Sequence, residues 1–129
     1  MKNNKYGKQI ENNLIKSFGM AGISILTSPD LDHNYKIDFI LSLNEQKYGI
    51  QLSLKNSRMK AINSKICALD VVPRFIYLNI AQEFSKAFNH PCKNKAKDLY
   101  NILTYITKKY KQKALYIRID KDILNITEI

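Results

Sequence analysis

Apolar positions recur along this chain with two different periods, and the switches between them outline its elements. Between residues 5 and 18 the spacing is helical, with Ile10, Leu14, Ile15 and Phe18 in step. At about 100° per residue, and with Ile10 at zero, Leu14 falls near 40°, Phe18 near 80° and Ile15 near 140°. This predicts a helix over residues 5–18 with Gly19 as its stop. Glu11 falls near 100°, inside the apolar stripe, while Lys8, Gln9, Asn12, Asn13 and Lys16 take the wet side.

Period two then takes over. A short strand is expected over residues 23–26, followed by a loop at Thr27-Ser28-Pro29-Asp30. Residues 35–43 and 47–55 both alternate around a turn-forming Asn44-Glu45, which predicts an antiparallel hairpin. Ile37, Phe39, Leu41 and Leu43 take one face of the first strand, leaving Asp38, Ile40 and Ser42 on the other. In the second strand Ile50, Leu52 and Leu54 share a face, opposite Gln51, Ser53 and Lys55. A two-residue turn sets Asp38 against Gln51, and a four-residue loop sets it against Ser53. In either register a carboxylate, an amide, a hydroxyl and an ammonium converge on one face of the sheet.

Residues 57–69 read as a helix with Met59, Ile62, Ile66 and Leu69 on one face and Arg58, Lys60 and Lys65 toward solvent. The unbroken apolar run 74–80 reads as a buried strand, residues 82–88 as a short helical turn, and 93–110 as a long helix striped by Ala96, Leu99, Leu103, Ile106 and Tyr110. A strand over 114–119 and a weaker one over 123–129 close the chain. No repeat, linker or shift in composition divides its 129 residues, so one domain over 1–129 is expected. Helix, three strands, helix, strand, helix, strand is the order of an α/β protein with a mixed central sheet flanked by helices.

Charge narrows the choice of partner. Twenty-one Lys and Arg against eleven Asp and Glu give a net charge of +10, which favours a polyanion such as DNA, although lysine and asparagine are also common in chains encoded by AT-rich genomes. Arg58, Lys60 and Lys65 follow the hairpin, and Lys93, Lys95, Lys97, Lys108, Lys109, Lys111 and Lys113 gather on and around the long helix. Such side chains grip phosphate without reading bases. Cys67 and Cys92 are too few for a disulfide framework, and His90-Pro91-Cys92, with only His33 and Cys67 elsewhere, lacks zinc spacing. No signal-like stretch follows MKNNKYGKQ and no run approaches the roughly 20 apolar residues of a membrane span. The cytoplasm is therefore the expected compartment, with no membrane partner.

Polar groups on core strands need a purpose. As alternatives, Asp38 reads as an exposed strand residue, Lys55 as a solvated lysine at a strand end, and Glu11 as a boundary carboxylate paired with Lys8 or another lysine. Taken together, they have the makings of phosphodiester chemistry. Oxygen ligands suit Mg²⁺, and a cation suits the attacking water and the developing phosphate charge. These residues resemble the PD-(D/E)XK nuclease superfamily, which includes many restriction endonucleases, Holliday-junction resolvases and recombination exonucleases. The element order over residues 5–80 matches its αβββαβ restriction-endonuclease-like core, with the last helix and strands as additions.

The resemblance implies a metal-dependent DNA endonuclease using Mg²⁺ or Mn²⁺. It assigns the helix acid to Glu11, the strand acid to Asp38 in KIDF, and metal ligation to Glu11, Asp38 and Gln51. It also implies dimerisation, since many resolvase-like nucleases are homodimers. The third motif departs from the family pattern. In GIQLSLK, Gln51 stands where an acid is expected and Ser53 where a lysine is expected, while Lys55 comes one same-face step later. Asp30, next to Pro29, and Asp32 are the reserve acids. The alternatives are a catalytically inactive DNA-binding module of the same fold, a subunit of a larger defence or repair complex, and an antitoxin-like or structural partner of another protein.

Overall fold

The computed structural model describes residues 2–120 and 123–129, with side chains for 5–120 and 124–129. The chain forms α1 (Lys2–Met20), β1 (Ile25–Leu26), α2 (Pro29–Tyr35), β2 (Phe39–Leu43), β3 (Gln46–Ser53), α3 (Arg58–Ala68), β4 (Arg74–Ile80), α4 (Gln82–Ser85), a 3₁₀ turn (Lys86–Phe88), α5 (Lys93–Lys109), β5 (Ala114–Asp120) and β6 (Ile123–Glu128). All six strands belong to one sheet, in chain order. β3, β4 and β5 run parallel, joined by helical crossovers, while β1, β2 and β6 add antiparallel strands at the two sides. This is the α/β architecture with a mixed, helix-flanked sheet that the sequence pattern predicts.

The two faces of the sheet are covered differently. On one, Ile10, Leu14 and Phe18 of α1 and Ala96, Leu99, Leu103 and Ile106 of α5 close over alternate residues of β2 to β5. On the other, Ala61 and Ala68 of α3, with half-buried Leu31 and Tyr35 of α2, cover Phe75, Tyr77 and Tyr116.

Several expectations are corrected. α1 runs past Gly19 to Met20 and ends at the turn through Gly22, whose φ of 74° suits a residue without a side chain. The expected Ser-Pro-Asp loop is the start of α2: the Ser28 side chain accepts from the Asp30 N–H, Pro29 opens the helix, and Lys36 ends it in the left-handed conformation. Strand β2 starts at Phe39 rather than residue 35. The expected apolar face of α3 is only partly turned inward: Leu69 packs half-buried against the second cluster and Ile62 is half-buried, but Met59 is 72% and Ile66 62% exposed, and Ala61, Ser64 and Ala68 face the sheet. Small residues at those three positions let the helix lie close to the strands, and Met59 and Ile66 are left outside.

The hairpin takes the two-residue turn. Phe39 pairs with Ile50 and Leu43 with Gln46, and Asn44 and Glu45 both have positive φ, 52° and 67°, as a type I′ turn requires. Asn44 Nδ2 fastens this turn to α5 through Thr104 O (3.0 Å) and Thr107 Oγ1 (2.9 Å). At the other end the pairing breaks. The Asp38 N–H donates to Ile50 O at 2.8 Å, so Asp38 and Phe39 both answer to Ile50 in the manner of a β-bulge. The alternation stops there, and Ile37 packs on the second face, not with Phe39, Leu41 and Leu43.

Candidate functional site

The break at Asp38 redirects its side chain. Where β2 would have continued along β3, Asp38 Oδ2 accepts the Leu52 N–H at 2.7 Å, standing in for the missing backbone acceptor. The same carboxylate reaches a cavity of about 760 Å³ at the open end of the hairpin. Its wall is drawn from α1 (Tyr6, Gly7, Lys8, Glu11), α2 (Asp32), the end of β3 and the loop beyond it (Gln51 to Lys55), α3 (Lys60) and α4 (Gln82). Glu11, Asp38, Gln51 and Lys55, predicted as one site from three separate segments, therefore line a single cavity. Ser53 lines it too, but its Oγ accepts the Lys55 N–H at 3.0 Å and so shapes the loop.

That loop is well supported. Tyr77 Oη donates to Lys55 O at 2.9 Å, Asn79 Nδ2 donates to Ser53 O at 3.1 Å, and Tyr116 Oη bonds Asn56 Oδ1. Tyr77 and Tyr116 also pack ring to ring, with centroids 5.1 Å apart, and Arg118 donates to Asn79 Oδ1. Strands β4 and β5 thus fix the backbone from which Lys55 extends, leaving its side chain exposed.

The electrostatics of the cavity are unbalanced. Burial pushes the Asp38 carboxyl up to about 8, and the negative charge of Glu11 adds to the shift; the Leu52 N–H opposes it, while the Asp32 carboxylate, by its charge and by accepting a hydrogen bond from the protonated Asp38, also raises it. Lys8 Nζ donates to Glu11 Oε2 at 3.0 Å and lies 3.9 Å from Asp32 Oδ2. Its own pKa is raised, chiefly by the bond to Glu11. Gln51 Oε1 is buried and has no hydrogen-bond partner in the described structure. An orphaned acceptor beside two crowded carboxylates is a donor set that fits a hard divalent cation. Among the described residues, no three His, Cys, Asp or Glu side chains are gathered closely enough to hold a metal ion by themselves, so Gln51 and water would have to complete the shell.

The site contains residues that the sequence reading placed elsewhere. Lys8, assigned to the wet side of its helix, is the cation that touches the acids. Asp32, held in reserve, lines the cavity because residues 29–35 form a helix. The basic residues divide. Lys60 lies on the cavity wall and Arg58 opens the same helix, whereas Lys65 turns away to donate to Ile129 O at 2.6 Å. Lys93, Lys97 and Lys108 are exposed on α5 and do not line the cavity; the C-terminal half of that helix is fastened to the hairpin turn, at the opposite end of the hairpin. No helix among the described residues is long and apolar enough to cross a membrane. Comparison with protein-family models, curated proteins and solved structures finds no match to this chain.

Proposed function

We propose that this chain is a divalent-metal-dependent DNA endonuclease of the PD-(D/E)XK type. The observation that carries the reading is the meeting of Glu11, Asp38, Gln51 and Lys55 in one cavity, with Gln51 Oε1 buried and unpartnered. Glu11, Asp38 and Gln51 would hold Mg²⁺ or Mn²⁺, which when bound supplies Lewis-acid activation of water and neutralises phosphate charge. Asp38 would have to give up its proton to hold the ion, and the burial and like charge that raise its pKa are what a cation would relieve. Lys55, on a loop braced by Tyr77 and Asn79, offers its ammonium to the scissile phosphate. Lys60 and Arg58 anchor the flanking backbone without reading sequence. Cys67 and Cys92 are free thiols, in keeping with a reducing cytoplasm.

The test is cleavage of linear, supercoiled and branched DNA with Mg²⁺ or Mn²⁺. Asp38→Ala and Lys55→Ala are each expected to lower the rate by at least about 100-fold, and a wild-type chain that cuts none of these forms would refute the reading. A binding-only module takes support from Gln51 and Ser53 standing where an acid and a lysine belong, and from the absence of a three-carboxylate cage among the described residues. It predicts salt-sensitive DNA binding that Asp38→Ala leaves intact.

A further inference from the structure

We propose that Lys8 is a resident counter-ion that regulates the site: its ammonium holds the place on Glu11 that a divalent cation must take, and loading requires it to swing away. The inference rests on the metal-dependent reading above and concerns how the ion gains entry. Glu11 has a side chain only 13% exposed and stands near a second buried acid. A carboxylate in that setting needs a compensating positive charge, and Lys8 supplies it at 3.0 Å. The same Nζ lies 3.9 Å from Asp32 Oδ2, so it spans the gap between α1 and α2. Among the described residues no other cation pairs with Glu11, Asp32 or Asp38.

Lys8 is also free to leave. Its side chain is 56% exposed, and a four-carbon stem can carry the ammonium into solvent by changing rotamers, with no movement of the helix. A divalent ion bound to Glu11 could not coexist with an ammonium on the same oxygen, because the two cations would repel across a few ångströms. Partly exposed ion pairs are weak enough to be displaced, so a cation that takes this place on Glu11 would have to break one contact. α2 has no fully buried residue, and release of Asp32 in the same step would loosen its hold over the cavity.

Two measurements test this with manganese chloride as the only ligand. Calorimetric titration of Lys8→Gln should show Mn²⁺ binding about tenfold tighter than wild type, the size expected for removing one partly exposed unit charge, with a smaller gain for Lys55→Gln. In the wild type, labelling of Lys8 by an amine-reactive reagent, followed by peptide mass spectrometry, should rise on adding Mn²⁺; this arm needs no variant to fold. If the wild type binds Mn²⁺ while Lys8→Gln binds it no more tightly and labelling stays flat, the counter-ion role is overturned and the nuclease reading stands. If the wild type neither binds Mn²⁺ nor cuts DNA, both fall together.

Discussion

The Asp38 carboxyl has two tasks that oppose one another, and its titration exposes the conflict. One oxygen closes the broken end of β2 by accepting the Leu52 N–H, which favours the charged form, while burial and Glu11 favour the neutral one and prevail. Between the ordinary aspartate range near pH 4 and about pH 8, the folded chain holds this proton and the unfolded chain has lost it. The contribution to stability is complete below that window and declines as pH rises through it. Asp38→Asn keeps an acceptor for Leu52 and removes the titration. The variant is expected to be more stable than wild type at pH 8 by about 1 to 3 kcal/mol, and to lose the difference by pH 4, in paired urea titrations. Saturating Mn²⁺ should raise the wild-type Tm and leave that of Asp38→Asn almost unmoved. The sequence showed Glu11 because it interrupts the apolar stripe of its helix, and Asp38, Gln51 and Lys55 because the alternation gathers them on one face of the hairpin. It hid Lys8 because a helical wheel records facing and not reach: a lysine on the wet side still reaches three residues ahead to Glu11. Asp32 was hidden for another reason, since its place depends on whether residues 29–35 are a loop or a helix.

At the scale of elements, what was legible was whatever depends on period, and what was lost depends on how the chain breaks period. β4 and the stripe of α5 follow from runs long enough to be unambiguous. The Ser28-Pro29 cap was present as a signal, but the seven-residue helix it starts has too few apolar positions to show a stripe. The bulge at Asp38 carries no pattern of its own, so strand alternation was carried back to Ile37, on the wrong face. The apolar stripe of α3 was assigned inward because larger side chains usually face the core; here the approach to the sheet is too close for Met59 and Ile66. Two substitutions check the hairpin. Glu45 occupies the left-handed region that a type I′ turn reserves for glycine, so Glu45→Gly should stabilise the fold by about 0.5 to 1 kcal/mol in thermal denaturation. Gly49 has the opposite character, since a Cβ there would come within 3.0 Å of Ile37 Cδ1 and Val72 Cγ2. Gly49→Ala should therefore cost about 1 to 2 kcal/mol through overpacking beside the bulge.

Across the whole molecule the net charge of +10 favours a polyanion without saying where one would lie. The positions of the lysines make that question answerable. Lys55 and Lys60 line the cavity, while Lys108 and Lys109 end α5, which is fastened to the hairpin turn on the far side. If DNA lies across the cavity, the first pair touches phosphate and the second pair contributes only to the distant field, which salt screens within about 10 Å at 0.1 M. Fluorescence anisotropy with a labelled duplex separates the cases. The Lys55→Ala, Lys60→Ala double variant should bind at least about tenfold more weakly and flatten the log–log salt dependence by nearly two, the value for two lost phosphate contacts. The Lys108→Ala, Lys109→Ala double variant should stay within about threefold of wild type, with an unchanged slope. Equal losses from both pairs would move the DNA track along α5 and away from Asp38, separating binding from the chemistry proposed for the cavity.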